Sequence, residues 1–101
     1  MEARQEAYES RNTIQRVEKA IKAYLASCKA NGLSTGTIAN YERITKKYMD
    51  YIKENGYDEA SIASVNDWKI SLAEDGVKIT TMNLYLSVLH SFFAWSEQMK
   101  M

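Results

Sequence analysis

The sequence predicts an all-α fold, a compact bundle of four helices, and three observations lead to this prediction. The 101-residue chain has no proline and four glycines, so little in it interrupts helices, whereas an all-β domain needs more of both for its turns. Apolar residues recur at steps of three and four along four separate segments. A hydrophobic fraction of 46% with 26% charged residues is typical of one soluble globular domain.

The first two helices are predicted by apolar stripes that end at Asn-Gly pairs. The first helix covers residues 13–30 and stops at Asn31-Gly32. Residues 1–12 are polar, and we expect an N-terminal extension that either continues this helix or frays. The second helix opens at Ser34, whose hydroxyl can cap the first turn, and ends at Asn55-Gly56, a helix-end signal.

The third helix is predicted to be shorter than the others. It begins at Ser64 or Asn66 and reaches Asp75-Gly76, with Ser61-Ile62 forming a turn or a brief extended approach.

The fourth helix is predicted to begin at Thr80 or Thr81 and to run through Trp95. It is apolar nearly all the way round, and such a helix is buried on several sides or meets a partner. We assign residues 13–97 to one domain.

The formal net charge of zero conceals an uneven distribution. Residues 13–30 hold four basic residues and one acidic residue, and residues 34–55 hold four and three. Residues 56–76 hold one lysine against five acidic residues. We therefore expect a polyanion to approach the first, second or fourth helix rather than the third.

The sequence offers no recognisable catalytic or metal site. His90 is the single histidine, so the chain cannot combine a Cys-His catalytic pair with a second imidazole. A metal site with two histidine ligands is excluded for the same reason. Cys28 lies on the apolar stripe of the first helix, where we expect a small core residue. The isolated glycines form no phosphate-binding loop. We expect no enzymatic activity, no cofactor and no metal.

Two further features of the sequence predict the cellular compartment of the protein. A lone cysteine indicates a reducing, cytoplasmic setting. No apolar run approaches the roughly 20 residues that span a bilayer, so we expect no membrane partner.

Two stretches carry a more specific pattern. Residues 33–52 contain Leu-Ser-x-x-Thr-x-x-x-Tyr, and residues 79–95 contain Thr-x-Asn followed by Leu-Ser-x-Leu-x-x-Phe-Phe. In this order, with residues 61–76 as a short helix between them, they resemble the N-terminal core-binding domain of tyrosine recombinases, the phage-integrase SAM-like domain. The resemblance extends over residues 13–95.

The resemblance implies a DNA-binding arm. In such recombinases the second and fourth helices of this domain face the duplex, and a separate catalytic domain cuts DNA with a nucleophilic tyrosine and a His-x-x-Arg element. Here His90 is followed at the third place by Phe93 rather than arginine. We expect a chain that binds double-stranded DNA without cutting it, and whose partners are the catalytic domain of the same recombinase and neighbouring recombinase subunits. The resemblance also implies that residues 98–101 lead to this catalytic domain, which the sequence does not contain.

The candidate DNA contacts combine this resemblance with helical spacing. Residues at steps of three and four line the side of the second helix away from its apolar stripe, and polar groups at a helix start suit phosphate binding. The fourth helix carries a similar set at its start, where Thr80, Thr81 and Asn83 are expected to form a cap. The candidate set is Thr37, Asn40, Arg43, Lys47, Thr81 and Asn83, backed by Ser34, Lys46 and Lys78.

Two alternatives remain open on the sequence. In the first alternative, the hydroxyl residues at the helix starts only cap those helices, and the basic residues of the second helix are exposed to solvent and bind nothing. From a different class of function, a helical protein-interaction module docks another chain through an exposed apolar side of the fourth helix, around Leu84, Val88 and Trp95.

Overall fold

The predicted four-helix architecture is confirmed in the computed structural model, which describes residues 13–100. The helices are α1 (Ile14–Ala30), α2 (Thr35–Glu54), α3 (Ile62–Glu74) and α4 (Ile79–Gln98), and no strand forms among the described residues. The expected polar extension at residues 1–12 and the last residue, Met101, lie outside the described part of the chain.

The predicted ends of α1 and α2 are confirmed by the backbone at the Asn-Gly pairs. Asn31 and Asn55 are the C-cap residues, and Gly32 and Gly56 follow with φ of +87° and +75°. This left-handed conformation is open to glycine at little cost and ends a helix by turning the chain back.

The start of α3 differs from the prediction, because Ser61 and Ser64 form a capping box. Ser61 is extended, with φ of −152°, and its Oγ accepts the Ser64 N–H at 3.1 Å. The Ser64 Oγ in turn accepts the Ser61 N–H at 3.0 Å. Two free amides of the first turn are thereby satisfied, so the helix begins at Ile62, before the predicted Ser64 or Asn66.

The start of α4 also differs from the prediction. Lys78 is the N-cap residue and makes no side-chain capping hydrogen bond, and Ile79 is already helical. Thr80 and Thr81 therefore lie inside the first turn, and their predicted capping role is wrong.

A single core joins the four helices. Its side chains are buried to 8% exposure or less, and Cys28 is among them, as predicted. The core is formed by Val17, Ala20, Ile21, Tyr24, Cys28, Ile44, Tyr48, Met49, Ile52, Ala60, Val65, Trp68, Tyr85, Val88, Leu89 and Phe92.

Helix α4 packs against each of the other three helices, which confirms that its all-round apolar character reflects burial on several sides. Helices α1 and α3 do not contact each other, so they flank the α2–α4 pair. No helix within residues 13–100 is long and apolar enough to cross a membrane.

Candidate nucleic-acid interface

The start of α2 is a capped helix end with open space in front of it. Ser34 Oγ accepts the Thr37 N–H at 3.1 Å and donates to Thr37 Oγ1 at 2.9 Å. The N–H groups of Thr35 and Gly36 precede the first intrahelical bond, made by the Ile38 N–H to the Ser34 carbonyl, and have no helical acceptor. A Cβ added at Gly36 would meet no atom within 4 Å. An anionic oxygen can therefore approach these amides closely.

Arg43 is held in place where α2 meets α4. Its Nη2 donates to Asn40 Oδ1 at 2.6 Å, and its Nη1 donates to the Tyr85 hydroxyl at 3.5 Å. The guanidinium carbon lies 5.9 Å from the centroid of the Tyr85 ring, a cation–π distance. Tyr85 is itself fixed, since its ring stacks on Trp68 at 5.6 Å with an interplanar angle of 6°.

The Arg43 charge has no acidic partner in the described part of the chain, where the ion pairs are those of Lys46 with Asp50 and Lys53 with Glu18. Two of its five donors are occupied by neutral oxygens, so donors remain for a phosphate. An arginine immobilised before the ligand arrives loses less side-chain entropy on binding.

Lys47 lies in an acidic environment. It lines a groove of about 850 Å³ between α2 and α3, whose other walls include Trp68 and Tyr85. The same groove is lined by the carboxylates of Asp50, Glu54, Asp67, Glu74 and Asp75. The net negative charge there opposes binding of a polyanion next to Lys47.

The remaining candidate lysine of α2 faces a different direction. Lys46 pairs with Asp50 at 3.1 Å and lines the opposite groove, towards α1. This pair lies at the surface and is worth little in energy, so it can be exchanged for a phosphate at small cost.

The two candidate residues on α4, Thr81 and Asn83, lie on different sides of the helix. Thr81 is one turn before Tyr85 and Lys78 is two turns before it, so the three residues share one side of α4. Asn83 is two positions before Tyr85 and is exposed on another side. The Lys78 side chain makes no capping hydrogen bond, so it does not satisfy the first N–H groups of α4.

Helices α2 and α4 contact each other at two points. Arg43 meets Tyr85, and further along both helices the rings of Tyr48 and Phe93 lie 6.2 Å apart. Ser34 lies about 14 Å from Arg43 along the α2 axis, and Lys78 lies about 11 Å from Tyr85 along the α4 axis.

The apolar surface required by the protein-interaction alternative is not formed as predicted. Val88 is 3% exposed and belongs to the core, because α4 turns that position inward together with Leu89. Trp95 is half-buried, with its ring 5.4 Å from that of Tyr24. Leu84, 44% exposed, is the one residue of this predicted group left outside.

The raised pKa values of two phenols, those of Tyr24 and Tyr48, result from packing in the core. Burial, reinforced by neighbouring Cys28, raises the pKa of Tyr24 to about 12. Burial also raises the pKa of Tyr48, against the hydrogen bond to Ser64. These groups stay protonated at neutral pH. Within residues 13–100, no three His, Cys, Asp or Glu residues gather to hold a metal ion.

The sequence analysis does not include Gly36 and Tyr85 among the candidate residues. Gly36 lies two residues after the Ser34 cap, in the first turn of α2. Nothing in the sequence places Tyr85 beside Arg43, because the two residues are 42 positions apart.

Comparison with known proteins identifies one family. The sequence model described as "Phage integrase, N-terminal SAM-like domain" matches residues 21–100, which include all of the described α2, α3 and α4. No match is found among curated proteins or among solved structures.

Proposed function

The chain belongs to the family of phage integrase N-terminal SAM-like domains, and on this premise we propose that it is the DNA-binding arm of a site-specific tyrosine recombinase. It grips the duplex core site through α2 and α4 and positions a catalytic domain for DNA integration and recombination. The observation that carries the proposal is Arg43, a guanidinium without an acidic partner among the described residues, held by Asn40 and Tyr85 at the junction of the two helices.

The proposed contact surface follows from the geometry around Arg43. Ser34, Thr37 and the free amides of Thr35 and Gly36 bind one phosphate at the start of α2. Asn40 and Arg43 bind a phosphate further along the same helix.

The second helix of the surface is α4. Its uncapped first turn offers N–H groups and the Thr81 hydroxyl, and Lys78 adds positive charge. Lys46, Lys47 and Asn83 lie at the edges of this surface, and we assign them weaker contacts.

The proposed arm binds DNA and does not cut it. Its partners are duplex DNA, the catalytic domain of the same recombinase and neighbouring recombinase subunits, and it works in the cytoplasm without a cofactor. Contacts directed at phosphates give affinity that falls with salt and carry little sequence information of their own.

A salt titration of duplex binding tests the proposal. Fluorescence anisotropy with a labelled duplex, from about 50 to 200 mM salt, gives the slope of log K against log salt concentration. Replacing Arg43 by Gln removes one phosphate contact and is expected to lower this slope by about 0.9. Lys47→Gln is expected to change the slope less, because nearby carboxylates already offset that charge.

Lys69→Gln is the matched control. It removes one exposed positive charge from α3 and is expected to leave the slope unchanged. An equal effect of Arg43→Gln and Lys69→Gln would contradict the proposed surface. In parallel, amide shifts on adding the duplex should cluster at residues 34–43 and 78–83. Shifts confined to residues 84–95, or no shifts at low salt, would contradict the proposed DNA-binding role.

A further inference from the structure

We propose that a row of lysines on α1 forms a second contact with the backbone of the same DNA duplex. The lysine row consists of Lys19, Lys22 and Lys29. The inference rests on the proposed function and widens it, since it assigns a binding role to a helix that the α2–α4 surface does not use.

The lysine row lies on the exposed half of α1. On α1 the buried residues Val17, Ile21 and Cys28 follow one side of the helix. At 100° per residue, Lys19 and Lys22 lie near the opposite side, and Lys29 lies about 100–120° from the buried side. All three lysines are exposed, and Lys22 also lines the groove between α1 and α2 that Arg43 lines.

The charges of the lysine row are not neutralised within the described residues. The one acidic residue of α1, Glu18, forms an ion pair with Lys53 of α2. No carboxylate in residues 13–100 pairs with any lysine of the row. Lys22 shares the groove between α1 and α2 with the carboxylates of Glu18, Glu42 and Asp50, but four basic residues line the same groove, so its net charge stays positive: Lys22, Arg43, Lys46 and Lys53.

The lysine row is continuous with the proposed surface on α2. Lys29 lies in the last turn of α1, and a short turn returns the chain to Ser34 at the start of α2. The two helices then run back along each other, as shown by the stacked rings of Tyr24 and Tyr41, 6.3 Å apart. The row therefore begins beside the proposed phosphate site at the start of α2.

The length of the lysine row fits a duplex backbone. Lys19 and Lys29 are ten residues apart, which is about 15 Å along the helix axis. A single DNA strand carries one phosphate per about 3.4 Å of duplex axis, so the row spans about four base pairs. A surface of this length and charge matches a phosphate backbone that continues past the α2 contact.

The experiment compares two double variants of the full chain by salt titration of duplex binding. Lys19→Gln/Lys22→Gln is expected to lower the salt slope by about 1.8, or about 0.9 for each lost contact. The matched control, Lys69→Gln/Lys100→Gln, removes the same charge elsewhere on the surface and is expected to leave the slope unchanged. Lysine and glutamine have similar helix propensities, and circular dichroism verifies equal helix content.

The outcomes separate this inference from the proposed function. Duplex binding by the wild type with equal slopes for the two double variants would overturn the lysine row and leave the α2–α4 surface standing. A lower slope in the lysine-row variant while Arg43→Gln has no effect would support the row and remove the α2–α4 surface. No duplex binding by the wild type at low salt would overturn both.

A membrane surface is the other polyanion that three lysines on a helix could meet. Vesicles of phosphatidylcholine with phosphatidylserine provide the comparison. Vesicle binding that is lost in the lysine-row variant, together with an unchanged DNA slope, would overturn the DNA assignment.

Discussion

The hydrogen bond between Tyr48 and Ser64 fixes α3 against the helix that carries Arg43, and its removal has a predictable sign. The Tyr48 hydroxyl lies 2.6 Å from Ser64 Oγ, and both residues are completely buried. Ser64 Oγ also donates to the Ser61 carbonyl at 2.7 Å and accepts the Ser61 N–H. The serine therefore has backbone partners, whereas Ser64 is the sole hydrogen-bonding side chain at the phenol.

The two single substitutions should have unequal costs. Tyr48→Phe removes one hydrogen bond and leaves Ser64 satisfied by Ser61, so we expect a loss of about 1 kcal/mol in the free energy of unfolding. Ser64→Ala breaks the capping box and leaves the phenol buried without its partner, so we expect about 3 kcal/mol.

The double variant should be about as stable as Ser64→Ala alone. Once Ser64 is gone, the bond that Tyr48→Phe would remove no longer exists and the phenol has only the Ser61 backbone as a partner, so we expect this substitution to cost much less than about 1 kcal/mol. The cost of Tyr48→Phe thus differs between the two backgrounds. In a domain of this size, 1 kcal/mol corresponds to about 4–8 °C in Tm.

Urea unfolding near pH 7, followed by helical circular dichroism, measures all four chains of this cycle. At that pH the Tyr48 phenol is protonated, because burial raises its pKa, so no ionisation complicates the comparison. If Tyr48→Phe costs the same free energy with and without Ser64, the bond does not couple the two residues and the reasoning fails.

Two further predictions concern the backbone and the alkaline range. Gly32→Ala should destabilise the chain by about 1 kcal/mol, because the backbone at Gly32 is left-handed. Gly36→Ala should stabilise it by about 0.5 kcal/mol, because Gly36 is helical and has open space around it. Thermal unfolding of the two variants distinguishes a loss from a gain of stability. Stability should fall between about pH 10 and 12, because unfolded tyrosine loses its proton near pH 10 while folded Tyr24 keeps it to about 12. Tyr24→Phe should flatten this fall in urea titrations, and an unchanged pH dependence would count against the burial of an ionisable phenol.

A helix boundary can be predicted from this sequence where a recognisable local capping residue sets it. The start of α2 and the ends of α1 and α2 depend on local features, the Ser34 cap and the Asn-Gly pairs, and the sequence predicts all three. The sequence predicts the start of α3 too late in the chain. Its capping box has serine, Ser64, at the third helical position, where Glu or Gln is the usual signal. The start of α4 is predicted one or two residues too late, because the prediction assumes a hydroxyl cap. The N-cap residue is Lys78, whose side chain makes no capping hydrogen bond.

The site was predictable on one helix and not between helices. The spacing of Asn40 and Arg43 places them side by side, and the structure shows their hydrogen bond. The contact of Arg43 with Tyr85 comes from another helix, and so do three of the five carboxylates that share a groove with Lys47, those of Asp67, Glu74 and Asp75 at α3 and its end. Such tertiary neighbours decide whether a surface charge is available to a ligand, and periodicity within one helix cannot supply them.

The order of packing along the chain bears on how the domain folds. Each helix packs against the next one in sequence, so much of the bundle forms through short loops, and we expect folding in microseconds to milliseconds. The long-range step is the return of α4 onto α1 and α2. A ligand that touches α2 and α4 together binds only molecules that have completed this step. Bound DNA would thereby slow the detachment of α4, and amide hydrogen exchange along that helix would report its presence.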